Sequence, residues 1–355
     1  MGTDRQPSRI AASWSFFLLG FVAGALVATG ALAVFLGGSR GTRAGAVGVA
    51  VTTLKLAHGL SPEHPVHLGM VHLQETLAQL SDGRMRLDLY PSGQLGSETE
   101  CLEQVQRGSL AMTKSSTAPL EGFIGEMKVF GLPYLFADEP HFWEVLDGEI
   151  GAELLAQGRS KNLLGLCYYD AGSRSFYTRN RMIETPADLK GLKIRVQNSP
   201  VAMKMVEALG AAPTPIAWGE LYSALAQGTV DGAENNAPSY VSEKHCEVAP
   251  YYSLDAHTRV PDILLISAAV WDRLSTVEQR WLAEAAVASS QFQRQLWKQA
   301  DTAALEEART RFRAQVYEPD RRLFMDKVQP VYDELAKGPV GELVQRIRRL
   351  RQPPP

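Results

Sequence analysis

The sequence predicts an α/β protein with two cored domains behind an apolar N-terminal segment. Three observations carry this reading. From Leu54 onward, two-residue and 3.6-residue hydrophobic periods alternate, as they do when strands and helices take turns along a chain. At 355 residues and 45% hydrophobic content, the chain exceeds the roughly 250 to 300 residues at which a single core stops growing. A helical pattern beginning at Ser275 then runs without Gly or Pro as far as Pro319, longer than the ~8 to 20 residues typical of one domain, and is long enough to bridge two lobes.

The first element is an uncharged stretch, Trp14 to Leu36, preceded by Arg5 and Arg9 and followed by Arg40 and Arg43. About 20 apolar helical residues match a ~30 Å hydrocarbon layer, so residues 14–36 can anchor the chain in the inner membrane. They are longer than the ~7 to 15 residue core of a cleaved signal peptide, yet Ala31-Leu32-Ala33 and Ala44-Gly45-Ala46 both resemble cleavage sites. Signal peptide and uncleaved anchor both stay open. No nearby cysteine offers a site for a lipid. By either route the protein from about Val51 onward is exported, and the Gly- and Ala-rich residues 37–50 are a linker.

Leu54 to His58 reads as a strand, and Pro65 to Leu80 as a helix broken by Asp82-Gly83. Met85, Leu87 and Leu89 alternate with Arg86, Asp88 and Tyr90, the period of a half-buried strand. Glu98 to Arg107 is the next helix, with Gly108 at its C-cap, and Leu110 to Thr113 resumes the sheet. Together these make a βαβαβ unit. In the second half, Leu163 to Tyr169 is a continuous apolar run, as in a strand covered on both faces. Thr185-Pro186 opens a short helix that Gly191 ends, and Leu192, Ile194 and Val196 then alternate with Lys193, Arg195 and Gln197. Ser199-Pro200 starts a helix reaching Gly210, and Ser275 to Glu278 is a capping box for the long helix. Residues 346–355, an arginine run followed by prolines, read as a solvated tail.

Composition narrows the chemistry. Lysine plus arginine (36) nearly balances aspartate plus glutamate (39), so there is no electrostatic footprint for nucleic acid, and any anion selectivity is local. Cys101, Cys167 and Cys246 are odd in number and widely spaced, which fits small buried hydrophobes better than a disulfide framework or zinc site. The nucleophile elbow, zinc-protease, phosphate-loop and dinucleotide motifs are missing, and no cofactor is implied. His67 and His72, five apart on one helix, face different directions rather than forming a metal pair.

Arg195 is the sharper signal. It lies near the carboxyl end of a strand, where ligands bind in open α/β sheets. Its planar guanidinium matches a carboxylate two hydrogen bonds at a time. Arg174 follows another strand end and can project into the same cleft. Trp218 stands at a loop-to-helix junction, where it is either a cover for an apolar ligand face or part of the core. Asp231 to Asn236 is dense in polar groups after a short strand, either ligand contacts or a capped turn.

Five segments in this order resemble the solute-binding (DctP-type) subunit of tripartite ATP-independent periplasmic (TRAP) transporters over about Leu54 to Leu335. They are Tyr90 to Gly96, Gly108 to Met112, Leu132 to Phe136, Asp188 to Arg195, and Glu220 to Leu225 leading into Asp231 to Asn235. The resemblance implies a two-lobed, type II-like periplasmic binding protein with a long helix spanning both lobes. Lobe I would be 51–172 with about 261–298, and lobe II 173–260 with about 299–345. It implies Arg195 as main carboxylate ligand, accompanied by Arg174, Asn235, Trp218 and His257, and closure of the lobes over a small organic anion. The implied partners are the small and large membrane permease subunits. The segments around Ser199-Pro200, Trp218 and His257 resemble the sugar-acid branch. A pocket including Glu98, His58 and Asn235 beside one dominant arginine suits a monocarboxylate with hydroxyls, with C4-dicarboxylates as the next candidates. The rival readings are a periplasmic enzyme using a carboxylate and a histidine on the same ligands, and an anchored sensor.

Overall fold

The computed structural model describes residues 51–351, so the apolar stretch 14–36 and the linker lie outside the described residues. The first sheet begins with β1 (Thr52–Ala57), α1 (Pro65–Leu80), β2 (Met85–Tyr90), α2 (Glu98–Arg107) and β3 (Met112–Ser116). Each boundary has a local cause. The His64 ring accepts the Val66 amide proton at the start of α1, where Pro65 has no amide hydrogen to lose. Ser97 and Glu100 form a reciprocal capping box on α2, and Gly108 closes it in the left-handed conformation, φ 75°. Both β2 and β3 pair in parallel with β1, as in a βαβαβ winding.

After several short helices, β4 (Leu163–Tyr169) leads out of this sheet into the second, through β5 (Arg174–Thr178), β6 (Lys193–Val196), α3 (Pro200–Ala208), β7 (Ala212–Pro215), β8 (Gly232–Asn235), α4 (Ala237–Ser242) and β9 (Tyr251–Thr258). The chain then returns: β10 (Asp262–Ser267) inserts antiparallel between β3 and β4. A third crossing follows, through α5 (Thr276–Thr310) to β11 (Gln315–Tyr317), and α6 (Gly338–Leu350) ends the fold. The strand orders are β2-β1-β3-β10-β4 and β11-β9-β5-β8-β6-β7. The fold is a two-lobed α/β architecture, and α5 is its long helix.

α5 spans 35 residues and packs on α1 beside the first sheet and on α4 beside the second. Its seat on α1 is close. A Cβ on Gly69 would lie 2.8 Å from Cβ of Gln293, so only glycine permits this approach. Gln293 also bonds both backbone groups of Asp170, at 2.8 Å each, tying the helix to the point where the chain leaves the first sheet.

The tail expected from residue 346 is corrected here. Residues through Leu350 continue α6, an amphipathic helix whose Val340, Leu343, Val344 and Ile347 are buried. The arginines occupy its outer face, and Arg346 pairs with Glu153 at 2.7 Å. A 3.6-residue period was hidden behind the charge run. Among the described residues no helix is long and apolar enough to cross a membrane.

Candidate functional site

Pairing register brings the candidate residues together. Asn235 is the last residue of β8 and Arg174 the first of antiparallel β5, where Ser175 faces Asn235. Arg195 lies near the end of β6, which runs parallel to β8 with Arg195 opposite Ala233. All three therefore stand at one edge of the second sheet. Lys114 and Ser116 at the end of β3, and Asp262 at the start of antiparallel β10, stand at the corresponding edge of the first.

Between these edges lies a narrow chamber of about 40 Å³, lined among others by Glu98, Lys114, Arg174, Asn235, Trp218 and Asp262. It shares Glu98, Gln197 and Trp218 with a wider cavity of about 580 Å³ that Arg195 lines. Contacts cross the gap. Ser116 Oγ donates to Gln197 Oε1 at 3.4 Å, and Ser199 Oγ donates to Glu121 Oε1 at 2.8 Å. Because His64 Nδ1 accepts from Val66, its Nε2 carries the proton in the neutral ring and donates to Ser239 Oγ at 3.1 Å.

The two arginines differ in what they have left to give. Arg174 donates from Nε and Nη2 to the Glu234 carboxylate, from Nη2 to the Glu234 carbonyl at 2.7 Å, and from Nη1 to Asn235 Oδ1 at 2.8 Å. Four of its five N–H groups are committed to the protein. Arg195 is 2% exposed, yet it spends only Nε, on the Ile216 carbonyl at 2.9 Å. Its Nη1 is buried with no hydrogen-bond partner, and among the described residues no carboxylate pairs with it. Burial pulls its pKa down, as expected for a cation taken from water without a counter-ion. The Trp218 ring lies 5.7 Å from the guanidinium.

Two of the expected ligand contacts fall elsewhere. His58 is 1% exposed and outside the chamber lining; its Nε2 meets His67 Nδ1 at 3.0 Å and its Nδ1 accepts from the Leu60 amide. Strand β1 ends one residue before it, and His64 lines the chamber instead. His257 is fully buried behind Glu234, 3.5 Å from its carboxylate, with Asp255 at 2.8 Å on the other ring nitrogen. Burial opposes a charge there, but Asp255 and Glu234 outweigh it and raise the pKa to about 9.

The profile of bacterial extracellular solute-binding proteins of family 7, DctP, matches residues 56–338. The chain belongs to the DctP family. A solved TRAP periplasmic solute-binding protein from Bradyrhizobium, complexed with galacturonate, is 38% identical with a TM-score of 0.82, covering 84% of this chain and 99% of that one. One from Polaromonas bound to D-erythronate is 32% identical with a TM-score of 0.82, covering 85% and 100%. The 2,3-diketo-L-gulonate-binding periplasmic protein YiaO of Escherichia coli is 31% identical over 70% of this chain and 76% of its own length.

The family is one of periplasmic solute-binding proteins, binding components of transporters rather than enzymes. The sequence did not single out Lys114, Asp262 or His64 for this DctP-type cleft, and marked Glu234 only as part of the polar segment Asp231 to Asn236. The available signal was one charged residue at the sheet-edge end of a strand: Lys114 in Met112 to Ser116, and Asp262 before the apolar run Ile263 to Ile266.

Proposed function

We propose that this protein captures a sugar acid, a uronate first among them, and delivers it to TRAP permease subunits. The observation that carries the reading is the buried Arg195 guanidinium with an unpartnered Nη1 beside a cavity. A buried cation without a partner is costly, and a carboxylate relieves that cost through two parallel hydrogen bonds. Arg174 has one N–H remaining and assists, while Asn235 fixes its orientation. Trp218 offers an apolar face to the ring of a sugar. The galacturonate and erythronate carried by the related structures have this chemistry, one carboxylate and several hydroxyls.

As it stands, the narrow chamber has room for a few water molecules only, at roughly 10 to 15 Å³ each. Entry of a sugar acid requires the lobes to part, and an anion that contacts both favours the closed state. Before capture, residues 14–36 direct or tether the chain outside the cytoplasmic membrane.

Titration calorimetry of D-galacturonate tests the assignment. Micromolar binding corresponds to about −8 kcal/mol, and Arg195→Ala removes ~3 to 5 kcal/mol of it, at least roughly 100-fold in affinity. Undiminished affinity in that variant would overturn the role given to Arg195. No binding of any uronate by the wild type would overturn the sugar-acid reading.

A further inference from the structure

The narrow chamber next to the Arg195 cavity also holds a cluster of carboxylates. Lys114 is 2% exposed, and its ammonium donates to Glu98 Oε1 at 3.2 Å and to Asp262 Oδ2 at 3.1 Å. Glu98 Oε1 accepts also from the Ser116 amide at 3.0 Å. That leaves Glu98 Oε2 and Asp262 Oδ1 with no hydrogen bond to the protein, on residues that both line the narrow chamber. Glu98 further sits in the first turn of α2, where the helix dipole favours its anion. Burial disfavours the ammonium of Lys114, but Asp262 and Glu98 outweigh it and hold its pKa up, so the lysine stays charged. Two carboxylates around one ammonium leave this cluster one negative charge in excess, since the charge of Arg174 in the same chamber is committed to Glu234; burial lifts the pKa of Asp262 against the pull of Lys114.

We infer that Lys114 holds Glu98 and Asp262 as a fixed pair of acceptors that reads hydroxyl groups of the ligand beside the carboxylate held by Arg195. This rests on the sugar-acid reading and deepens it by naming the determinants of specificity. A carboxylate oxygen with no donor is satisfied by a hydroxyl proton, and a charge-assisted O–H···O bond is about twice as strong as a neutral one. A second carboxylate in the ligand supplies no proton and meets like charge in low dielectric. Lys114 does not cancel this repulsion, because its one positive charge is shared between two anions. The pair therefore acts by rejection as much as by attraction, which is how specificity is obtained against ligands of similar shape. Lys114 is a positioning residue here; Glu98 and Asp262 make the contact.

The test compares D-galacturonate with galactarate, which carries a carboxylate at both ends, by calorimetry on the wild-type protein and on Glu98→Gln and Asp262→Asn. The expected result is wild-type preference for galacturonate of at least roughly 100-fold. Each variant then loses about tenfold for galacturonate and narrows the galacturonate-to-galactarate ratio, because an amide presents a donor where only acceptors stood. Melting temperatures of both variants establish that they fold, and with two positions probed, failure of one to fold leaves the other to decide. Equal wild-type affinity for the two acids, or an unchanged ratio in the folded variants, overturns the inference while leaving the sugar-acid reading intact. A wild type that binds neither acid overturns that reading instead.

Discussion

At the scale of residues, the cleft is governed by which charges are already paid for by neighbours. Arg174, Glu234, His257 and Asp255 form a closed chain of alternating charge, whereas Arg195 is left open. The closed chain makes stability depend on pH with a definite sign. His257 binds its proton more tightly folded, at about 9, than its ordinary value near 6.5. Its contribution is complete below pH 6.5 and is lost as pH rises through 9. Glu121, buried against Ser199 and Val201, acts in the same sense at lower pH, since burial lifts its pKa to about 8. The melting temperature is therefore expected to fall between pH 6.5 and 9, and less steeply in His257→Gln. An equally steep fall in that variant would remove His257 from the explanation. Arg195 and Arg174 were legible in the sequence because strand alternation and topology put them at a sheet edge. His58 was misplaced by one residue of strand, and Lys114 was missed because a lone lysine gives no periodic signal.

Among the elements, those with local causes were read nearly to the residue. The spans Pro65–Leu80, Glu98–Arg107 and Leu163–Tyr169 match the expectation, since caps and apolar runs mark their ends. Cys101, Cys167 and Cys246 are buried and free, as small hydrophobes would be. The last helix shows where this reading fails. Its last buried position, Ile347, stands among Arg346, Arg348 and Arg349, so the charge run dominated, and only packing reveals that Ile347 is fully buried. The Ile347 carbonyl also accepts from His141 Nε2 at 3.0 Å, joining α6 to the helix Glu139–Asp147. Ile347→Ala should cost about 2 to 5 kcal/mol in urea denaturation, the range for deleting a buried branched side chain. Loss of less than about 0.5 kcal/mol, the size of a surface effect, would restore the tail reading.

For the molecule as a whole, the two sheets face one cleft while α5 rests on both halves. The chain passes between the two sheets at 170–173, at 259–261 and through the long helix. The sequence made the long helix visible through its unbroken period, but not the insertion of β10, because strand order in a sheet is a property of pairing at a distance. Small-angle scattering offers a direct check on capture by closure: adding D-galacturonate should reduce the radius of gyration, and Arg195→Ala should abolish the change at the same ligand concentration. Compaction of that variant to the same extent would show that closure does not depend on the guanidinium.

The place of β10 has a consequence for how the protein is made. Strand β10 lies between β3 and β4, which come from residues 112–116 and 163–169. A growing chain that has not reached Asp262 has two finished strands with no neighbour to join them, and its first sheet stays split. Neither half can complete itself early, since β11 likewise closes the edge of the second sheet beside β9 from residues 315–317. Folding of the second sheet cannot finish before residues 315–317 are made. In a family of periplasmic proteins, such late completion of both sheets keeps a chain unfolded for longer before it crosses a membrane.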